Sequence, residues 1–279
     1  MTRNTRVTGW RRIANAMWRA PEDPQIFGAF DVAAAPLDAY IAEARAAGHH
    51  VTPTHLVGRA IAHALQAVPE LNVQIRRGRV RPRSSIDIFF ITAVSGGHDL
   101  SGVKVTDVAS KSAIAVAEEL TRRATAMKRG NDRDFARTKR LTDATPAWLL
   151  RPLLRASAFA TEELGLDLPA LALHRTPFGS AMVSNVGTFG LPQAFAPLAW
   201  LYDVPLLVLV GELTERAVAV EGRVVAQRVL PLSATIDHRY VDGWHVSKAI
   251  AAFREYLAAP ERPSRAVADR PETAEHRLS

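Results

Sequence analysis

The chain has 279 residues, 48% of them hydrophobic and 23% charged, which is apolar enough to bury a sizeable core and excludes disorder along the whole length. With no cysteine, it can hold no disulfide, thiolate zinc site, iron–sulfur cluster or cysteine nucleophile, and no apolar run reaches the roughly 18 residues that cross a bilayer. Its 35 basic and 28 acidic residues leave a net charge of +7, a balance that favours an anionic partner without naming one.

The first twenty residues carry Arg3, Arg6, Arg11, Arg12 and Arg19 and no acid, a composition shared with transit peptides. No apolar stretch of a secretion signal follows, so residues 10–19 are expected as the opening helix of the fold and the cytoplasm as the location. Ile26 to Val32 reads as a strand. A helix from Leu37 to Ala47 stops at Gly48, and a second begins at Thr52 with Pro53 in its first turn. The second repeats Leu56, Val57, Ala60, Ile61, Ala64, Leu65 and Val68 at helical spacing. Short strands at 72–75 and 79–81 flank an Arg77-Gly78 turn, Ile86 to Val94 has the β-branched content of a buried strand, and a helix is expected over 112–128. Two basic clusters, Arg76 to Arg83 and residues 122–140, read either as solvated surface or as anion-binding groups.

Residues 141–177 crowd Trp148, Leu149, Leu150, Leu153, Leu154, Phe159 and further leucines between a basic stretch and a strand. A core helix, a lid, a substrate wall and a docking surface all fit that composition. Strands follow at 180–185, 206–213, 217–220 and 224–236, with Glu221-Gly222 as a hairpin turn. After Gly243, Val246, Ile250, Phe253 and Leu257 mark one stripe of an amphipathic helix, and a charge-mixed polar tail expected to be disordered begins at Pro260. No internal repeat or long Gly/Ser linker interrupts the pattern, so a single interleaved α/β domain is expected.

Two segments carry chemistry. Ser233 to Gly243 (SATIDHRYVDG) places His238 where a long apolar strand meets a helix. An imidazole held rigidly there, with its pKa near neutrality, is able to take a proton from a thiol or hydroxyl and return it to a leaving group. Asp242 would hold the loop by pairing with an arginine, and Gly243 would permit close backbone approach. The same spacing also fits a His/Asp pair that only caps a helix. A metal centre of His238, Asp242 and His245 fits less well, because the helical pattern aims His245 elsewhere, and no metal is expected. The second segment, Val183 to Gly190 (VSNVGTFG), offers Ser184 as a hydroxyl donor to a developing oxyanion. It lacks the Gly-x-Ser-x-Gly elbow of a serine nucleophile.

Asp237 to Gly243, Ser184 to Gly190 with Phe195 and Pro197, Val68 to Asn72 and Arg11 to Ala14 together resemble the catalytic domain of the dihydrolipoyl acyltransferases of 2-oxoacid dehydrogenase complexes. The likeness spans about residues 10 to 260 and extends more distantly to chloramphenicol acetyltransferase. It implies an α/β fold, the chloramphenicol acetyltransferase-like two-layer sandwich with a mixed sheet, assembled as a homotrimer with each active site between two subunits. It implies coenzyme A as a substrate entering from one end and the acyl acceptor from the other. His238 would be the general base, Ser184 of the neighbouring subunit the oxyanion donor, and Asp242 a structural residue held by an N-terminal arginine, Arg11 rather than Arg12. The segments are then a flexible terminus at 1–9, a catalytic domain at 10–259 with a leucine-rich insertion at 141–177, and a tail at 260–279.

Departures from the family pattern bear on partners. Nothing before Trp10 is long enough for a lipoyl or subunit-binding module, so a lipoyl group would come from another chain, and a separate lipoyl-carrier protein is a candidate partner. Ala199 to Pro205 and Ser95 to Gly102 replace expected channel segments. The polar tail lacks the apolar surface to join trimer to trimer, so an isolated trimer is expected. A non-catalytic trimeric scaffold or regulatory paralogue is the alternative reading, against which the presence of both His238 and Ser184 argues. Nucleic acid is not an expected partner, because the arginine clusters lack interleaved aromatics.

Overall fold

The computed structural model describes residues 23–76, 78–94, 99–128, 145–167, 176–199 and 202–261. The expected opening helix at 10–19, Arg11, and the tail beyond residue 261 lie outside them. In chain order the elements are β1 (Gln25–Ala33), α1 (Ala35–Ala46), α2 (Pro53–Ala67), β2 (Val73–Arg76), β3 (Arg79–Pro82), β4 (Ile88–Val94) and β5 (Asp99–Val105). Then follow α3 (Ala113–Lys128), α4 (Ala147–Ala158), β6 (Ala181–Asn185), β7 (Leu206–Val210), β8 (Thr214–Val220), β9 (Arg223–Asp237) and α5 (Gly243–Ala258).

Seven strands form a mixed sheet in the order β1-β9-β7-β6-β4-β5, with β8 pairing to β9. Only β4 with β6 and β6 with β7 run parallel. The all-apolar β7, Leu-Leu-Val-Leu-Val, lies between β6 and β9 and is buried throughout, as a strand covered on both faces must be. Along β9, period-2 alternation sorts the two faces: Leu230, Leu232 and Ile236 enter the core under the helices, while Ser233, Thr235 and Asp237 turn the other way. Helices α1, α2, α3 and α5 cover the first face. On the second face an irregular segment packs Ala194, Ala196, Leu198 and Tyr202 against Met182, Leu207 and Leu209. It is held through its main-chain carbonyls. The Ser233 hydroxyl donates to Ala194 O, and the Thr235 hydroxyl donates to Ala196 O at 2.8 Å. The result is the expected two-layer α/β sandwich with a mixed sheet.

Local rules account for the boundaries. Thr52 caps α2, and the capping box is closed by its N–H donating to His55 Nδ1 at 3.0 Å. Glu221 and Gly222 take φ of 49° and 76°, the doubly left-handed pair that suits a two-residue hairpin between β8 and β9. The strand expected over 206–213 ends at Val210. There Gly187 approaches so closely that a Cβ on it would lie 2.5 Å from Gly211 O. Strand β5 falls partly on the segment that the sequence marks only as a changed path. It is an edge strand, recognisable by its antiparallel register with β4 rather than by composition.

Among the described residues of the leucine-rich region the helix is not a core helix. Its helix α4 continues as a π-helical turn over Phe159–Glu163, and it exposes Trp148, Leu153, Phe159, Leu164 and Leu166 while burying Ala158, Thr161 and Glu162. Among the described residues no helix is long and apolar enough to cross a membrane.

His55 gives the helix layer a pH dependence. Burial, and secondarily the charge of His50, pushes its pKa down to about 4, and its Nδ1 is already used as an acceptor. The unfolded chain protonates this group near pH 6.5 and the folded chain does not, so stability falls as pH drops from about 6.5 towards 4. A loss of roughly 2–3 kcal/mol across that window is expected in thermal or urea unfolding, and His55→Asn should flatten it.

Candidate active site

His238 stands immediately after β9, where the backbone pairing with the first strand continues through its N–H to Pro24 O at 2.8 Å. Its ring is oriented by a 2.6 Å contact from Nδ1 to Val241 O. A carbonyl only accepts, so Nδ1 carries the proton and Nε2 is left with its lone pair. The side chain is exposed. An exposed imidazole with a main-chain orienter and a basic Nε2 is the arrangement of a general base.

The neighbouring residues lock the turn. Asp237, 1% exposed, receives Arg239 through Nη2 at 2.6 Å and Nε at 3.0 Å, besides the Arg239 N–H at 2.9 Å. Tyr240 is partly buried, and its hydroxyl accepts the Ile75 N–H at 3.4 Å, tying the turn to β2. Burial, reinforced by the charge of Asp203, pushes the Tyr240 phenol up to about 12, so it stays neutral.

Asp242 is a helix cap. Its Oδ1 accepts the N–H groups of Trp244 at 3.0 Å and His245 at 3.3 Å, and His245 Nδ1 lies 2.8 Å away. Hydrogen bonding from His245 lowers its pKa. Its partner is therefore His245, not His238, and a pairing with Arg11 falls outside the described residues. Gly243 opens α5, and a Cβ there would meet nothing within 4 Å, so no backbone approach among the described residues requires glycine. Among the described residues no group of three His, Asp or Glu side chains converges as a metal site.

Ser184 and His238 are not brought together in one chain. Ser184 on β6 is level with Leu209 on β7, which is level with Ser233 on β9. From Ser233 to His238 is five residues, on the order of 16 Å along the strand at about 3.3 Å per residue, and β7 intervenes sideways. The turn after Ser184 is well braced, with Asn185 Nδ2 donating to Thr54 Oγ1 at 2.8 Å and Thr188 Oγ1 donating to Asn185 O at 2.9 Å.

One network has no signal in the sequence. Glu162, on the turn after α4, and Arg76, on β2, are each 2% exposed and meet at 3.3 Å, and Gln74 Nε2 donates to Glu162 Oε2 at 2.7 Å. Arg83 donates through Nη2 to Asp203 O at 2.9 Å and through Nε to Val73 O at 3.3 Å. Two members of the first arginine cluster are thus structural braces, while Arg79 and Arg81 remain exposed. No spacing rule predicts that an acid from the leucine-rich segment reaches an arginine 86 positions earlier.

A family model described as "2-oxoacid dehydrogenases acyltransferase (catalytic domain)" matches residues 2–134 and 171–264 of this chain, leaving most of the leucine-rich segment unmatched. A probable succinyltransferase component of the 2-oxoglutarate dehydrogenase complex of Schizosaccharomyces pombe is 29% identical over 136 residues, 43% of this chain and 28% of that protein. The acetyltransferase component of the Bacillus subtilis pyruvate dehydrogenase complex is 33% identical over 82 residues, 29% of this chain and 18% of that protein. The matched stretches therefore span well under half of either relative. A probable dihydrolipoamide acetyltransferase structure from Listeria monocytogenes superposes with a TM-score of 0.63 at 18% identity, covering 93% of this chain and 97% of that one. At that identity the likeness concerns the fold.

Proposed function

The chain belongs to the 2-oxoacid dehydrogenase acyltransferase catalytic-domain family, and from that premise we propose that it moves an acyl group between coenzyme A and a thiol of dihydrolipoyl type, or a hydroxyl. The reading includes a cytoplasmic homotrimer whose active sites lie between subunits, with any lipoyl group supplied by a separate carrier chain. The observation that carries it is the Nδ1–Val241 hydrogen bond, which leaves His238 Nε2 as a base at the end of a rigid strand.

In the proposed step Nε2 takes the proton of the acceptor S–H or O–H as that atom attacks the thioester carbonyl. The Ser184 hydroxyl of the neighbouring chain donates to the tetrahedral oxyanion. Collapse breaks the bond to the coenzyme A sulfur, which leaves with the proton held by His238. One acyl group and one proton have exchanged places, and no covalent enzyme intermediate is required. Approximation of two bound substrates supplies much of the acceleration. Among the described residues of the first basic cluster, the exposed Arg79 and Arg81 are available to the coenzyme A phosphates.

The separation of Ser184 from His238 makes the trimer testable. His238→Ala and Ser184→Ala chains, each impaired alone, should regain acyl transfer when co-expressed. Random mixing places an intact His238 opposite an intact Ser184 in about a quarter of interfaces. Transfer from acyl-coenzyme A to dihydrolipoamide measures it. Failure of mixed trimers to exceed either parent would mean that the two residues do not share an intersubunit site.

A further inference from the structure

Strands β2 and β3 form a two-stranded sheet apart from the main one. Alternation along β2 sends Gln74 and Arg76 the same way, and both are buried. They meet on one oxygen, Glu162 Oε2, at 2.7 and 3.3 Å. In a water-poor setting such charge-assisted contacts hold firmly, since solvent offers no replacement. Glu162 falls within residues 135–170, the stretch that the family model leaves unmatched. Between Gln74 and Arg76, the Ile75 main-chain N–H donates to the Tyr240 hydroxyl at 3.4 Å. A bond that long fixes Tyr240 only while β2 itself is held still, and the two contacts to Glu162 hold it.

Tyr240 lies in the turn that aims the imidazole. Its N–H donates to Asp237 O at 3.1 Å, and the next residue, the buried Val241, supplies the carbonyl that takes His238 Nδ1–H at 2.6 Å. The direction of that carbonyl decides which ring nitrogen carries the proton. A turn that drifts loses the bond, and a ring in the Nε2–H form has no lone pair at Nε2 to receive a proton from the acceptor.

We infer that Glu162 is a positioning residue for His238, acting through β2 and Tyr240 to keep the imidazole in its Nδ1–H form. The inference rests on the acyl-transfer reading above for the use of Nε2 as a base, while the tautomer itself is a property of the chain that needs no substrate. The exposed Trp148 and Leu153 of the same segment take no part, because the contact with β2 is made by Glu162.

The test uses the full-length protein and two readouts: nitrogen NMR of the isotope-labelled, neutral His238 ring, and transfer from acetyl-coenzyme A to dihydrolipoamide. The wild-type ring should be mainly Nδ1–H. Glu162→Gln, which keeps an amide oxygen but removes the charge, and Tyr240→Phe should each move it towards Nε2–H. Each should lower kcat by about tenfold and leave KM for acetyl-coenzyme A within about twofold, as expected of a misplaced base rather than lost binding. The double variant should be no worse than the stronger single one, since both changes break the same link. Leu153→Ala, on the exposed side of the segment, should leave tautomer and kcat unchanged. An unaltered tautomer in Tyr240→Phe or in folded Glu162→Gln, losses that multiply in the double variant, or an equal loss in Leu153→Ala would overturn the inference while leaving acyl transfer standing. Absence of transfer in the wild type would overturn the acyl-transfer reading, and the NMR arm would still decide whether Glu162 sets the tautomer.

Discussion

Replacing His238 by alanine should lower acyl transfer by roughly 10² to 10⁴-fold, the range for loss of a positioned general base, while the protein remains folded. The side chain is exposed, and the bond to Pro24 O is made by the main-chain N–H, which alanine keeps. The turn is held independently by Asp237 with Arg239 and by Tyr240 with β2. Unfolding midpoint and coenzyme A binding should therefore change little while kcat/KM falls. Undiminished turnover in His238→Ala would remove the general-base mechanism.

Glu162→Ala should have the largest effect on stability, a loss of about 3–5 kcal/mol, because it strands the Arg76 guanidinium in the interior with its charge unpaired. Gln74 would lose its acceptor as well. Removing both charges at once, in Glu162→Leu with Arg76→Met, should cost far less than the single change, since two desolvated ions are then replaced by carbon. Urea unfolding of the two variants separates these outcomes. A loss below about 1 kcal/mol in Glu162→Ala would mean that the pair behaves like a surface salt bridge.

The same pair explains what the leucine-rich segment does within the described fold. Helix α4 and the turn after it leave Trp148, Leu153 and Phe159 exposed, and no leucine of α4 is fully buried. The buried Glu162 ties the segment to β2 through Arg76, and the Ile75 N–H of β2 in turn meets Tyr240 two residues beyond His238. The leucine-rich segment and the candidate catalytic turn are thereby joined through one short hairpin.

Several features depend only on near neighbours and are legible in the sequence. The helical repeat of Leu56 to Leu65, the Thr52-Pro53 start of α2, the Glu221-Gly222 hairpin and the strand-to-helix junction at His238 are settled by periodicity, capping and turn chemistry within a few residues. The motifs around His238 and Ser184 carry the family likeness for the same reason. What only the tertiary structure decided were relations between distant parts of the chain. Asp242 proved to be the cap of α5 with His245, because the start of that helix leaves N–H groups that an aspartate satisfies. Arg76 left the apparent basic cluster for the interior and Arg83 became a half-buried brace, β5 emerged as an edge strand against β4, and Ser184 and His238 came to lie several residues out of register across β7. Local patterns select the element each segment forms, whereas burial and register depend on which segment packs opposite, and that is set by the whole chain folding at once.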